Sequence, residues 1–553
     1  MPFKRRRWVT LGPAVLLVAG LTSALAPASQ AASAAPAATS GTALNCASTT
    51  HSANCLDVFD PEAVGGEGNY VGHDEPSTLF YSNRPGSGDN NLYLVRLPKD
   101  PPVPPNQQGT GGTDNFQLRP TFWLGMALCD TQSFPEFTPN CTADSDRNIF
   151  NSPDPASPRY IGRHPGTAFM EMQFYPPGWA PWPAGISCDA RQWCAALTID
   201  SYNSNPAGVD NNTACLNSVG VEPVNFAFIT KNGLAQAPAN PVDATAATYT
   251  PDPSRDLFMN PGDSIAVSMR DTAGGFQVRL ADLTTHRTGS MTASAANTFG
   301  QVLYQPTSST CNVAPYSFHP MYSTSSTQTR VPWAAHSYNI AFSDEIGHFE
   351  YCSAVDPSTG NCTAAGGGDS SVDSDDVGCF TAAQSLLVPV TGCTGADGDF
   401  DGPSYLSDWP GTGPPRHDAR LDTQPLEFTS PRFNGFQRYS EVGFETDMPR
   451  IERPDFGGIC NGATGANCVN PPPGAQFYPI YSTTDRGLLP VRGCSWQEGG
   501  PAIPGTRDNF GGSSATEYSQ NLLRLVYPSV NSAGQPAPQF IYEDFRNIIA
   551  NPC

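Results

Sequence analysis

Charge is scarce in this chain. Asp, Glu, Lys and Arg supply 14% of the residues, with 29 Lys and Arg against 51 Asp and Glu. A net charge of -22 disfavours a nucleic-acid partner. Long apolar runs are missing beyond the N-terminus, so stable membrane insertion is not expected. Long amphipathic helical patterns are also hard to find. No C-x2-C pair occurs, which disfavours structural zinc held by thiolates. G-x-S-x-G, H-E-x-x-H and a phosphate-binding loop are all absent, leaving serine-hydrolase and common zinc-protease chemistry poorly supported.

Turn-forming residues are abundant instead. Gly 52 and Pro 55 separate short apolar or alternating runs, the pattern of an all-β protein. An aromatic content of 10% and a cysteine framework oppose the alternative of a disordered secreted polymer. The N-terminus reads as an export signal over residues 1–31. Lys4, Arg5, Arg6 and Arg7 form its basic region, Val9 to Ala26 its apolar region, and small residues fit cleavage after Ala31. A membrane anchor is opposed by Gly12, Pro13 and Gly20 and by the small residues that follow. The pair Arg6-Arg7 leaves the general and twin-arginine routes both open. Residues 32–45 read as a flexible lead-in, and the mature protein as secreted and monomeric.

All 16 cysteines lie after the signal. An even count in an exported chain favours disulfides and no free thiol. Short loops close cheaply, so local pairing is expected: 46/55, 129/141, 188/194, 352/362, 379/393 and 460/468, with 215/311 and 494/553 completing the set. Spacing alone does not settle connectivity.

The expected architecture is a jelly-roll-like β-sandwich over 46–362, a Gly/Ser/Asp-rich linker at 363–376, and an irregular, disulfide-bearing C-terminal region over 377–553. A helix is expected near Glu517 to Tyr527. The strongest strand is Ala168 to Tyr175, ended by Pro176-Pro177-Gly178. Period-two alternation sends Met170, Met172 and Phe174 to a core and Phe169, Glu171, Gln173 and Tyr175 to the opposite face.

Three constellations could carry chemistry. Glu171 with Gln173 offers a carboxyl and a carboxamide, with Tyr175 and Trp179 placed to stack on sugar rings. Glycoside hydrolysis needs a second carboxyl across a cleft, and Glu350 could supply it. His348 with Asp344 and Glu350 suits a general base or a metal ligand. A polar sheet face or strand edge would carry the same residues without any site. The third is Asp397-Gly-Asp-Phe-Asp-Gly402. Asp397, Asp399 and Asp401 stand at the first, third and fifth positions of a calcium-type loop, and Asp408 at its twelfth. Trp409-Pro410-Gly411 excludes a regular exiting helix, so a bound Ca2+ would sit outside an EF-hand.

The pattern PGDSIAV (261–267) and GGFQVRLADLTTHRTG (274–289) resembles part of the concanavalin A-like β-sandwich of glutamic-type peptidases, shared by lectins and glucanases. That resemblance implies the sandwich fold. Glutamic peptidases use a Gln and a Glu to activate water, but their catalytic motifs are not recognisable here. GHDEPS (72–77), MEMQFYPPGW (170–179), SDEIGHFEYC (343–352) and DGDFDG (397–402) also resemble uncharacterised bacterial secreted proteins, which imply no reaction. The sequence therefore points to a protein that binds or hydrolyses an extracellular polymer, a glycan foremost. A glutamic-type acid peptidase and a non-enzymatic structural or cell-surface protein are the alternatives.

If the calcium loop is real, millimolar Ca2+ acting on a micromolar site stabilises the native state by about 4 kcal/mol. The melting temperature should then rise from chelator to calcium, and Asp399→Ala should remove the rise; equal shifts in both proteins would refute the loop.

Overall fold

The computed structural model describes residues 42–45, 77–81, 90–98, 121–133, 168–175, 188, 191–204, 209–320, 333–338, 351–355, 362–365, 405–406, 426–435, 437–447, 476–483, 495–498, 507–513, 522–530 and 536–553. These form an all-β protein built on two large sheets. The first runs Thr42–Asn45, Leu522–Val530, Pro536–Ala550, Glu441–Asp447, Ser77–Tyr81, Trp333–Tyr338, Thr121–Leu128, Ala168–Tyr175, Cys194–Ser201, Val224–Phe228. The second runs Thr288–Ala293, Phe276–Asp282, Ser264–Arg270, Asn90–Arg96, Leu426–Thr429, Ser495–Glu498, Gln476–Thr483, Arg507–Ser513, with Arg432–Phe433 and Gln437–Arg438 attached.

One face of each sheet packs on the other. From the first sheet come Phe80, Leu124, Met126, Met170, Met172 and Phe174; from the second come Val95, Ile265, Val267, Val278, Leu280 and Trp496. Phe80 spans the layers, meeting Phe428 and Trp496 edge-on at 6.2 and 5.7 Å. That geometry suits the charge distribution of aromatic rings. In Ser264–Arg270, Ile265, Val267 and Met269 are fully buried while Ser264, Ala266 and Ser268 are only partly covered. The turn after it closes through paired backbone bonds between Thr272 and Gly275 at 3.0 and 3.2 Å. Gly275 has φ 131, a conformation open to glycine, so a hairpin forms with Arg270 opposite Gln277.

Two of the expected disulfides form, Cys188–Cys194 and Cys215–Cys311. Cys129 and Cys553 are disulfide-bonded too, and no free cysteine occurs among the described residues. The second bridge anchors the short helix Thr213–Val219, whose start is capped by Asn212 accepting from the Cys215 amide.

Several expectations need correction. Leu522–Val530 is a strand, not a helix, paired antiparallel with Pro536–Ala550. Its apolar run fits either state, and the available partners decide. The end of the expected lead-in, Thr42–Asn45, pairs in parallel with that same strand. The first residues of the expected linker belong to the strand Cys362–Ala365, which pairs with Tyr351–Val355. Chain beyond residue 376 also enters both sheets, as in Glu427 opposite Arg96 and Glu445 opposite Ser77. The export signal, the rest of the linker and Asp397, Asp399, Asp401 and Asp408 of the calcium loop lie outside the described residues. Among the described residues no helix is long and apolar enough to cross a membrane.

Thr121–Leu128 lies unusually close to Ala168–Tyr175 at Gly125, which stands opposite Glu171. A Cβ there would fall 2.0 Å from the Met170 carbonyl oxygen and 3.0 Å from a ring carbon of Phe169. Gly125→Ala should therefore destabilise the protein by at least ~1–3 kcal/mol, the usual cost of overpacking. Chemical denaturation checks this, and an unchanged midpoint would contradict the close approach.

Candidate functional site

Ala168–Tyr175 is buried along its whole length. Its apolar side faces the inter-sheet core as the alternation predicts. The polar side is also closed off: Glu171 and Tyr175 are 0% exposed and Gln173 2%. Tyr175 is thus not the exposed sugar-stacking platform expected from sequence. Its ring lies parallel to Phe226 at 6.5 Å, in a second apolar cluster with Cys188, Cys194, Phe228 and Phe258. The short helix Ala246–Tyr249 brings Tyr249 against Phe226.

A buried polar face must satisfy itself. Here the spacing of two places three side chains in a relay. The Tyr175 hydroxyl donates to Gln173 Oε1, and Gln173 Nε2 donates to Glu171 Oε2. This holds the carboxamide in one orientation, oxygen toward the phenol and nitrogen toward the carboxyl. The neighbouring strand Cys194–Ser201 adds Thr198, opposite Glu171, and Asp200, opposite Phe169. Directly opposed residues share a face, so Asp200 is the diagonal neighbour of Glu171. The Thr198 hydroxyl lies between the two residues, 3.3 Å from the Glu171 carbonyl oxygen and 3.5 Å from Asp200 Oδ2.

Two carboxyls thus share one dry face. Their negative charge is felt by the phenol. Burial foremost, then Glu171, then Asp200 push Tyr175 well above the ordinary tyrosine value, keeping it a neutral donor. Asp130, at the end of Thr121–Leu128, is a separate buried carboxyl. It accepts from the Ser201 hydroxyl and the Gln301 amide, both at 2.6 Å, and burial raises its value against those bonds.

Glu171, Gln173 and Tyr175 are brought together as expected. His348, Glu350 and Trp179 lie outside the described residues. Asp200 escaped sequence reading. The usable signal was the alternation of Cys194–Ser201, in which Ala196, Thr198 and Asp200 share a face, but nothing local ties that face to Glu171. Among the described residues no group of three or more His, Cys, Asp or Glu is placed to hold a metal ion.

If the relay satisfies the buried face, Tyr175→Phe strands Gln173 Oε1 and should cost about 1–3 kcal/mol in unfolding experiments. A variant as stable as wild type would show that the phenol does not support the amide.

No family model matches the chain, and no curated protein matches it. Among solved structures, the chain is similar to scytalido-glutamic peptidase with a peptide-based transition-state analogue, at 11% identity. The match covers 66% of this chain and 80% of that one, with a TM-score of 0.18, too low to bear on activity.

Proposed function

We propose that this chain is an exported β-sandwich protein that hydrolyses an extracellular polymer, a glycan foremost, at a centre formed by Glu171, Asp200 and Gln173. The observation that carries the reading is the placement of two fully buried carboxyls on one sheet face, with an oriented carboxamide bonded to one of them. Diagonal neighbours on adjacent strands lie about 7–8 Å apart at their Cα atoms. Glycoside hydrolysis uses a pair of carboxyls, one protonating the leaving oxygen and the other acting as base or nucleophile.

The second reading is an acid peptidase, favoured by the Glu171–Gln173 contact. A carboxyl beside an amide can take a proton from water while the amide steadies the developing charge. Both readings require the cover over this face to open, since Glu171 and Asp200 are 0% exposed as described. His348, Glu350 and Trp179 remain proposed contributors, and Ca2+ at Asp397, Asp399, Asp401 and Asp408 a proposed stabiliser. Export is proposed from the N-terminal signal and is compatible with the observed disulfides.

The test is a polysaccharide panel run beside a casein digest at acid pH. Sugar release supports the first reading and acid proteolysis the second. Either activity should fall about 10²–10⁴-fold in Glu171→Gln and in Asp200→Asn with the fold retained. Retention of a polysaccharide without turnover would replace the hydrolase by a binding protein. Full activity in Glu171→Gln would dismiss this centre, and inertness in every assay would leave a structural role.

A further inference from the structure

The two sheets meet at one corner. Val224–Phe228 is the last strand of the first sheet and Thr288–Ala293 the last of the second. The chain leaving Phe228 is stitched to both sides. Thr230 bridges Asp256 and also Ser290. The Leu257 amide donates to the Ile229 carbonyl, the Lys231 amide to the Arg255 carbonyl and the Ser290 amide to the Thr230 carbonyl, at 2.9, 2.8 and 2.9 Å. Packing is tight enough that a Cβ on Gly289 would lie 2.9 Å from Ile229 Cγ2 and 3.0 Å from Leu257 Cβ.

A carboxyl sits inside this stitch. Asp256 is 0% exposed. Its Oδ2 accepts the Asp252 amide at 2.7 Å, while its Oδ1 is buried with no hydrogen-bond partner. The charged groups acting on it are Asp252, Arg255 and Lys231. The two cations are committed elsewhere: Lys231 Nζ donates to the Pro253 carbonyl at 2.7 Å, and the Arg255 guanidinium to the Gln236 and Ala235 carbonyls at 3.1 and 3.3 Å. Asp252 adds like charge.

We propose that Asp256 is a proton-operated latch on this corner: protonated, it leaves the 255–257 segment locked to 229–231 and through Thr230 to Ser290; ionised, it loosens both seams. A buried carboxylate with one oxygen unpartnered is costly, whereas the neutral acid is tolerated. Burial raises Asp256 from 3.8 to about 7, outweighing the Asp252 amide bond. The folded state therefore holds this proton more tightly than the unfolded chain. Its contribution to stability is complete below about pH 4, declines as the unfolded chain ionises, and is exhausted once the pH passes about 7.

The test follows melting temperature from pH 4 to 8.5 in wild type and Asp256→Asn. The variant cannot ionise, so relative to wild type it should gain at least ~2 °C between the acid and alkaline ends. Native hydrogen exchange in wild type supplies a second readout that needs no variant. Between pH 5 and 8, after correction for intrinsic rates, the Leu257 and Ser290 amides should lose protection about 10-fold relative to Val267 in the core strand Ser264–Arg270. Parallel melting profiles together with a constant protection ratio would overturn the latch. If Asp256→Asn does not fold, the exchange ratio decides alone.

Discussion

The strand Ala168–Tyr175 has no solvent side, and the surrounding structure answers that constraint. Its apolar face is met by the second sheet. Its other face carries a carboxyl, a carboxamide and a phenol that water no longer serves. Leaving any one of these unpartnered costs about 1–3 kcal/mol, more if it is charged. The relay from Tyr175 through Gln173 to Glu171 meets that requirement within one strand, because side chains two apart point the same way. The neighbouring elements then follow. Gly125 lets the strand on one side approach Glu171, and Cys194–Ser201 on the other side brings Thr198 and Asp200. The Cys188–Cys194 bridge and the Phe226–Tyr249 contact lie in the apolar layer around Tyr175.

Buried acid recurs across the described sandwich. Glu171 and Asp200 lie on the polar face, Asp130 at the end of a core strand, and Asp256 in the corner. Asp263 and Asp282 form a further buried pair, in which burial and then the Asp282 carboxyl raise Asp263 against the Asn260 amide bond. In Asp130, Asp256 and Asp263 the proton is held more tightly than in an exposed carboxyl. Each of these three groups contributes stability that grows as the pH falls toward 4, the reverse of an ionised salt-bridge carboxylate.

Local features were legible in the sequence and long-range ones were not. The alternation of Ala168 to Tyr175 gave its core face correctly, because period two is a property of the strand itself. Turn chemistry is local too: Gly275 takes the positive φ on which the 264–282 hairpin turns. Burial of the polar face was not legible: it depends on Phe226, Tyr249 and Phe258, which come from later segments. Asp200 was missed for the same reason, since only the register setting Phe169 opposite Asp200 carries it to Glu171. The strand Leu522–Val530 was misread because a short apolar run has no preference until partners appear, and its partners lie at opposite ends of the chain.

The proposed centre requires Glu171 or Asp200 to be a reacting carboxyl. A small aryl epoxide tests this directly, since an active-site carboxylate opens the ring and is left as a stable ester. Labelling the working protein and mapping the adduct by mass spectrometry should place one ester on Glu171 or Asp200, formed in step with the loss of turnover. Complete inactivation with the ester on any other carboxyl, and none on these two, would contradict the account.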